Sequence, residues 1–263
     1  GSVNVRVYNR GLNMSAMKNG RFGIAFWYWS NRHTHSLGTA HYFVCEYNEH
    51  SNSVTVLAQR EQKTYLDHQG EGWLYRISWV YITPFSFIMY FPDGGKDGEH
   101  SKQNLYSNYF NETNNTLTQR NHQFDFGRVN AVHTYHTHYN TNYESVNDIA
   151  YIPLHFGDNG QLKISVFRRN DLIATYDSHI KSHTTQIVAL QNSSVQVEFY
   201  EISYSNGSYI VDKKTVDNGS VTTTRKGIYE HDKPNRRVFL LNNDVYVHSR
   251  TSNAEHTIDK LIT

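Results

Sequence analysis

The chain predicts an all-β fold, an antiparallel β-sandwich or barrel-like head with long ordered loops and little helix. Three observations predict it. Aromatic and β-branched residues recur at every second position in one segment after another, as in Trp73, Tyr75, Ile77, Trp79 and Tyr81. That period belongs to a strand, whose successive side chains point to opposite faces. Short clusters of Asn, Asp, Ser and Gly separate these segments, so consecutive strands should pair antiparallel. No stretch longer than a turn or two carries a helical period, and no fixed-period repeat is present. Low proline and a high aromatic fraction argue against a disordered chain, and 263 residues suffice for one large β domain or two smaller ones. The expected organisation is a single β-rich head over residues 1–263 with two possible lobes. An aromatic-rich lobe would span 3–145 and a hairpin-rich lobe 150–263, since all four Trp, all three Met and the one Cys lie before residue 90.

Taken in order, Val3, Val5 and Val7 give a first strand, and the aromatic run from Gly20 to Trp29 gives a second. A strand from Ala40 to Tyr47 follows, then turn chemistry over Asn48 to Asn52, then a short strand from Ser53 to Ala58. The centre of the fold is placed at residues 72–91, where Pro84 should end one strand or bend it before a second run from Phe85 to Phe91. Pro92 to Gly95 is a strong turn, and the polar residues from there to about His122 read as a long loop, which gives it a functional expectation. Val132 to Tyr139 alternates as a strand, Ile149 to His155 continues it, and Gln161 to Phe167 with Leu172 to Tyr176 flank a hairpin turn. Further strands are expected over 184–190, 194–204, 238–241, 245–248 and 258–263. Asn206-Gly207 and Asn218-Gly219 are hairpin-turn dipeptides between them.

The formal net charge of +1 gives no field to steer the protein toward nucleic acid or an anionic membrane. The basic pairs at 168–169, 213–214 and 236–237 sit near expected turns and read as solvated hairpin tips. A lone Cys45 allows no intramolecular disulfide and is expected to be a small core filler. Folding in a reducing compartment is therefore favoured. Arg76, Ser78 and Pro84 interrupt the best apolar run, so no membrane-spanning segment is expected. The opening Gly1-Ser2 reads as the scar of a removed expression tag, which implies a fragment of a longer protein.

For chemistry, the sharpest pattern is a repeated tripeptide, His33-Thr-His35 and His136-Thr-His138. On a strand both imidazoles of each pair share a face and could meet one metal ion. These His-x-His pairs resemble the iron sites of the needle-like tips of bacteriophage long tail fibres. The Gly that precedes each pair in that family is replaced here by Arg32 and Tyr135. No nucleophile elbow is present, Asp177, Ser178 and His179 alternate faces, and Glu198 and Glu201 lie on opposite faces of their strand. No catalytic residue and no cofactor is expected, and the metal pairs rank second to a binding role. The expected contact residues are Tyr106, Tyr109 and Phe110 in the long polar stretch, with Tyr139 and Tyr143 further on. Aromatic faces among amide donors bind sugars and protein surfaces at low entropic cost.

In overall character the chain resembles viral fibre heads and receptor-binding knobs. That resemblance implies a non-enzymatic attachment module, the C-terminal head of a viral or phage fibre. It would be assembled in a reducing cytoplasm, displayed on the virion surface as a trimer or higher homo-oligomer, and bound to a host-cell glycan or protein receptor. The alternatives are a monomeric carbohydrate-binding or toxin-like β-domain of a secreted bacterial protein, and a metal-dependent β-barrel enzyme using the His-x-His pairs.

Overall fold

The computed structural model describes residues 12–29, 36–66, 79–92, 102–125, 142–144, 147–156, 161–178, 186–190, 196–231, 237–242, 244–250 and 255–262. Within them the fold is all-β, with strands joined in antiparallel meanders and no helix among the described residues. The chain divides into two compact units, one spanning Gly1–Thr134 with Arg169–Asp171, the other Tyr135–Arg168 with Leu172–Thr263.

The first unit contains two four-stranded sheets. One is β1 (Asn13–Ala16), β2 (Arg21–Trp29), β3 (Ser36–Asn48) and β4 (Ser53–Leu66); the other is β5 (Trp79–Ile82), β6 (Ser86–Pro92), β7 (Lys102–Asn111) and β8 (Thr116–Asp125). Ala25, Tyr42 and Val44 of the first sheet and Val80, Ile82, Phe87 and Met89 of the second are all buried. The Tyr42 and Phe87 rings lie 5.3 Å apart, and Gly23 leaves room for Ile82 and Phe87, whose atoms would stand 2.9–3.0 Å from any Cβ added there. The hairpin from β3 to β4 is closed by Asn48, whose Oδ1 accepts from the backbone N–H of His50 (3.0 Å) and Ser51 (3.2 Å), with Asn52 at φ 48°. Cys45 is buried, as its apolar surroundings predict, and burial raises the pKa of its thiol.

The second unit contains three sheets. They are β9 (Asn142–Glu144) to β12 (Asp171–Asp177) with β10 (Ile149–Phe156) and β11 (Gln161–Arg168) between; β13 (Gln186–Ala189), β14 (Val197–Ser205), β15 (Ser208–Asp217) and β16 (Ser220–Glu230); and β17 (Arg237–Leu241), β18 (Asp244–Arg250) and β19 (His256–Ile262). The sheet β13–β16 is the middle layer. Ile187, Val197, Phe199 and Val216 pack with Ile149, Tyr151, Ile164 and Val166, whereas Val188, Ile202, Tyr209 and Val211 pack with Val238, Val245, Val247 and Leu261. A strand buried on both faces needs apolar residues in both registers, which is why β14 alternates so little. Each such fully buried side chain contributes about 1.5–3 kcal/mol. The turns Asn206-Gly207 (φ 49° and 77°) and Asn218-Gly219 (φ 47° and 83°) hold both central residues at positive φ, the geometry that matches strand twist.

The expected loop is overturned over 102–122: residues 102–125 form the β7–β8 hairpin, turned at 112–115 with Asn115 at φ 53°, while 96–101 lie outside the described residues. Its period is hidden because the positions facing the interior include Asn108 and Gln119, so the apolar alternation that marks a strand is missing. β4 runs eight residues beyond the expected Ala58, and the short β1 was not expected at all. The strands expected at Val3–Val7 and Val132–Tyr139, and the Trp73, Tyr75 and Ile77 part of the central run, lie outside the described residues. No helix of the described residues is long and apolar enough to cross a membrane.

Candidate binding groove

In the second unit, β16 and β19 are the outermost strands of their sheets among the described residues. Beside them lies an open cavity of about 620 Å³ lined by Ile228, Tyr229, Glu230, His231, Thr257, Asp259, Lys260 and Leu261. An outermost strand leaves one row of backbone N–H and C=O groups without a partner strand, which makes it a template for an incoming chain or polar ligand. Ile228, part of its lining, stands 61% exposed, enough to offer apolar surface to a partner.

The groove is built on a rigid frame. The hairpin turn at Asn206-Gly207 points the Gly207 carbonyl at the backbone N–H of His231 (2.8 Å), and the Tyr204 hydroxyl donates to the His231 carbonyl (3.0 Å). The His231 ring packs edge-on to the buried Tyr209 at 5.3 Å, and its Nε2 lies 3.1 Å from Asp259 Oδ2. Lys260 is tied to Asp244 at 2.7 Å. The Tyr229 ring lies over Gly227, where its atoms would come within 2.6 Å of an added Cβ, so that glycine sets where the ring rests. The result is a mixed-sign polar lining with apolar shoulders, suited to holding a ligand by several weak contacts.

A second group of carboxylates lies away from the groove and is buried. Glu201 on β14 and Asp212 and Lys214 on β15 face the core between the β9–β12 and β13–β16 sheets, at 3%, 3% and 1% exposure. Lys214 Nζ sits 3.3 Å from Glu201 Oε2 and 3.9 Å from Asp212 Oδ2, donates to Thr223 Oγ1 at 2.9 Å, and lies 5.4 Å from the Tyr176 ring centre. Glu201 accepts from the Tyr176 hydroxyl (2.9 Å) and from Ser178, while Arg225 pairs with Asp212. Burial first, then the negative charge and hydrogen bond of Glu201, hold the Tyr176 phenol well above its usual range. Two carboxylates and two cations thus satisfy one another. Glu198 faces the opposite way and pairs with Lys213 at 2.8 Å, as the alternation predicts.

The expected contact residues are dispersed. Tyr106 and Phe110 face the interior of the first unit: Tyr106 acts on the Tyr42 phenol, and Phe110 is 3% exposed with the Arg21 guanidinium 5.3 Å from its ring centre. Tyr109 points the other way, half-buried, with Arg169 5.8 Å from its ring centre. Tyr143 belongs to β9, opposite Ala150; Tyr139, and the pairs His33, His35, His136 and His138, lie outside the described residues. Among the described residues no three His, Cys, Asp or Glu side chains are grouped to hold a metal ion. The structure instead joins His248 and His256, whose Nε2 and Nδ1 are 2.7 Å apart with rings within 9° of parallel. Eight residues apart across a hairpin, they form no sequence motif. The groove residues escaped the sequence reading for the same reason, because β16 and β19 are separated by some thirty residues. The one available signal was the run of polar residues on a strand bounded by Asn218-Gly219.

No protein-family model matches the chain, and no curated protein matches it. Among solved structures, an exo-β-1,3-galactanase from Phanerochaete chrysosporium, with β-1,3-galactotriose, aligns at 9% identity and a TM-score of 0.33. The alignment covers 96% of this chain and 60% of that one, so the chain spans less than two thirds of its length. At that score the likeness carries no argument about architecture or activity.

Proposed function

We propose that this chain is a non-enzymatic attachment module, of the kind borne at the ends of viral and phage fibres, and that it binds its receptor along the groove between β16 and β19. What carries the reading is the open cavity of about 620 Å³ bordered by two outermost strands and by the exposed Ile228. A surface that leaves strand edges and large apolar side chains in water is stabilised by covering it. The sealing of Glu201 and Asp212 inside their ion-pair network supports a scaffold role for the acidic pair over a catalytic one. As a homo-oligomer on a fibre the module would multiply weak contacts into firm attachment.

Fluorescently labelled protein applied to an array of bacterial and mammalian surface glycans, beside light scattering of the same sample, tests this. The expected result is an oligomer that binds a subset of glycans, with binding lost in the Tyr229→Ala/His231→Ala double variant. A strict monomer that binds none would remove the attachment reading, and release of reducing sugar from any bound glycan would remove its non-enzymatic part.

A further inference from the structure

We propose that the first unit holds a small inorganic anion, a chloride in ordinary salt solution, between its two sheets at Arg60, Gln62, Asn108 and Gln119. The register brings these four together. Arg60 stands opposite Tyr42 on the β3–β4 ladder with Gln62 two residues on, and Asn108 stands opposite Gln119 on the β7–β8 ladder. Arg60 then bridges the sheets, donating to the Leu117 carbonyl (3.1 Å) and to Gln119 Oε1 (2.7 Å). Tyr42, fully buried beside them, donates to Gln62 Oε1 at 3.1 Å.

The Arg60 bond fixes the Gln119 amide, because a guanidinium only donates: Oε1 faces Arg60 and the NH₂ is the outward end. Gln119 Nε2 and Gln62 Nε2 are both buried without a hydrogen-bond partner. Asn108 Nδ2 and Oδ1 and Arg60 Nε are buried and unpartnered too, and Asn108 is 0% exposed. Four donor nitrogens therefore face one acceptor oxygen. Each orphaned buried group costs about 1–3 kcal/mol, so a native interior does not accumulate five on four neighbouring residues without something between them.

The imbalance identifies the occupant. A water oxygen can accept from only two of these four donors, and it brings no charge. An anion accepts from every donor and brings none. It also supplies the charge that Arg60 lacks: the guanidinium contacts a carbonyl and an amide oxygen, and among the described residues no carboxylate pairs with it. A half-buried cation with no counter-ion among the described residues is costly, and a spherical halide between the two sheets answers that cost.

The test uses the whole chain. Crystals grown in sodium bromide and measured at the bromine absorption edge should show an anomalous peak within hydrogen-bond reach of Gln62 Nε2 and Asn108 Nδ2. In solution, thermal unfolding followed by tryptophan fluorescence reports the first unit, because all four Trp belong to it. The midpoint should rise saturably by about 5 °C with chloride or bromide, but not with gluconate at matched ionic strength. Gln119→Glu places a carboxylate against Arg60, so the halide-dependent rise should vanish while the halide-free midpoint equals or exceeds that of the wild type. If that variant fails to fold, Asn108→Ala should lower the apparent halide affinity at least tenfold. An ordered water in place of the bromide peak, an equal response to gluconate, or an undiminished halide response in the variants would each overturn the proposal.

Discussion

Two interiors of this molecule bury polar side chains between sheets, and they balance them in opposite ways. In the second unit Lys214, Glu201, Asp212 and Arg225 face one another with Tyr176, Ser178 and Thr223 supplying hydroxyls, so charge and hydrogen bonds close among the protein's own groups. In the first unit Arg60 has amides and a carbonyl for company, and four donor nitrogens are left over. Both clusters hang from the same antiparallel ladders. What differs is whether a carboxylate stands at the next position on the same face: Asp212 and Lys214 alternate on β15 with Glu201 across the ladder, whereas Arg60 and Gln62 alternate on β4 with no acid beside them. A closed network is a structural joint, and an open one is a place for a guest.

The sharpest break of this comparison is to remove the cation from each cluster. Lys214→Met should cost about 3–5 kcal/mol in urea unfolding followed by circular dichroism, because Glu201 and Asp212 lose their shared buried partner. Gly23→Ala probes the tightly packed part of the first unit, where Ile82 and Phe87 leave no room for a methyl group. It should cost about 1–3 kcal/mol, read from the fluorescence transition. Arg60→Met should cost about 1–2 kcal/mol in halide-free buffer, since it strands the Leu117 and Gln119 acceptors but no carboxylate and keeps the aliphatic stem. A loss as large as that of Lys214→Met would erase the distinction between the clusters.

The smallest effect concerns pH. Burial, opposed by the Asn170 carbonyl 2.9 Å away, lowers the pKa of His122 below its usual 6.5. A group whose folded pKa is depressed takes up its proton first in the unfolded chain, so its contribution to stability is present above about pH 6.5 and is lost as the pH falls through the folded value. The fluorescence midpoint of the first unit should therefore decline on acidification below pH 6.5, and His122→Gln should flatten that slope. An unchanged slope in His122→Gln would assign the decline to other groups.

Much of the architecture was readable from residues alone, for a definite reason. Where a strand buries one face against apolar neighbours, its sequence must alternate, and β11 and β18 do so visibly. The turns Asn206-Gly207 and Asn218-Gly219 announce β15 and β16 because positive φ at two successive residues selects that dipeptide. The β7–β8 hairpin stayed hidden because it faces a polar interior, and the contact residues assigned to it as a loop turned out to sit on two faces of a strand. The Tyr229–His231 and Asp259–Lys260 sides of the groove carry no shared spacing, and neither do His248 and His256.

The sequence by itself determined the period-two strands, their turns, the absence of a disulfide from a chain with one cysteine, and hence an antiparallel all-β scaffold, since these depend on neighbours along the chain. Only the tertiary structure decided which polar side chains meet across the ladders and between the sheets. Whether a buried charge is answered depends on residues far away in sequence. A lysine that finds two carboxylates and an arginine that finds none among the described residues look alike until the sheets are stacked.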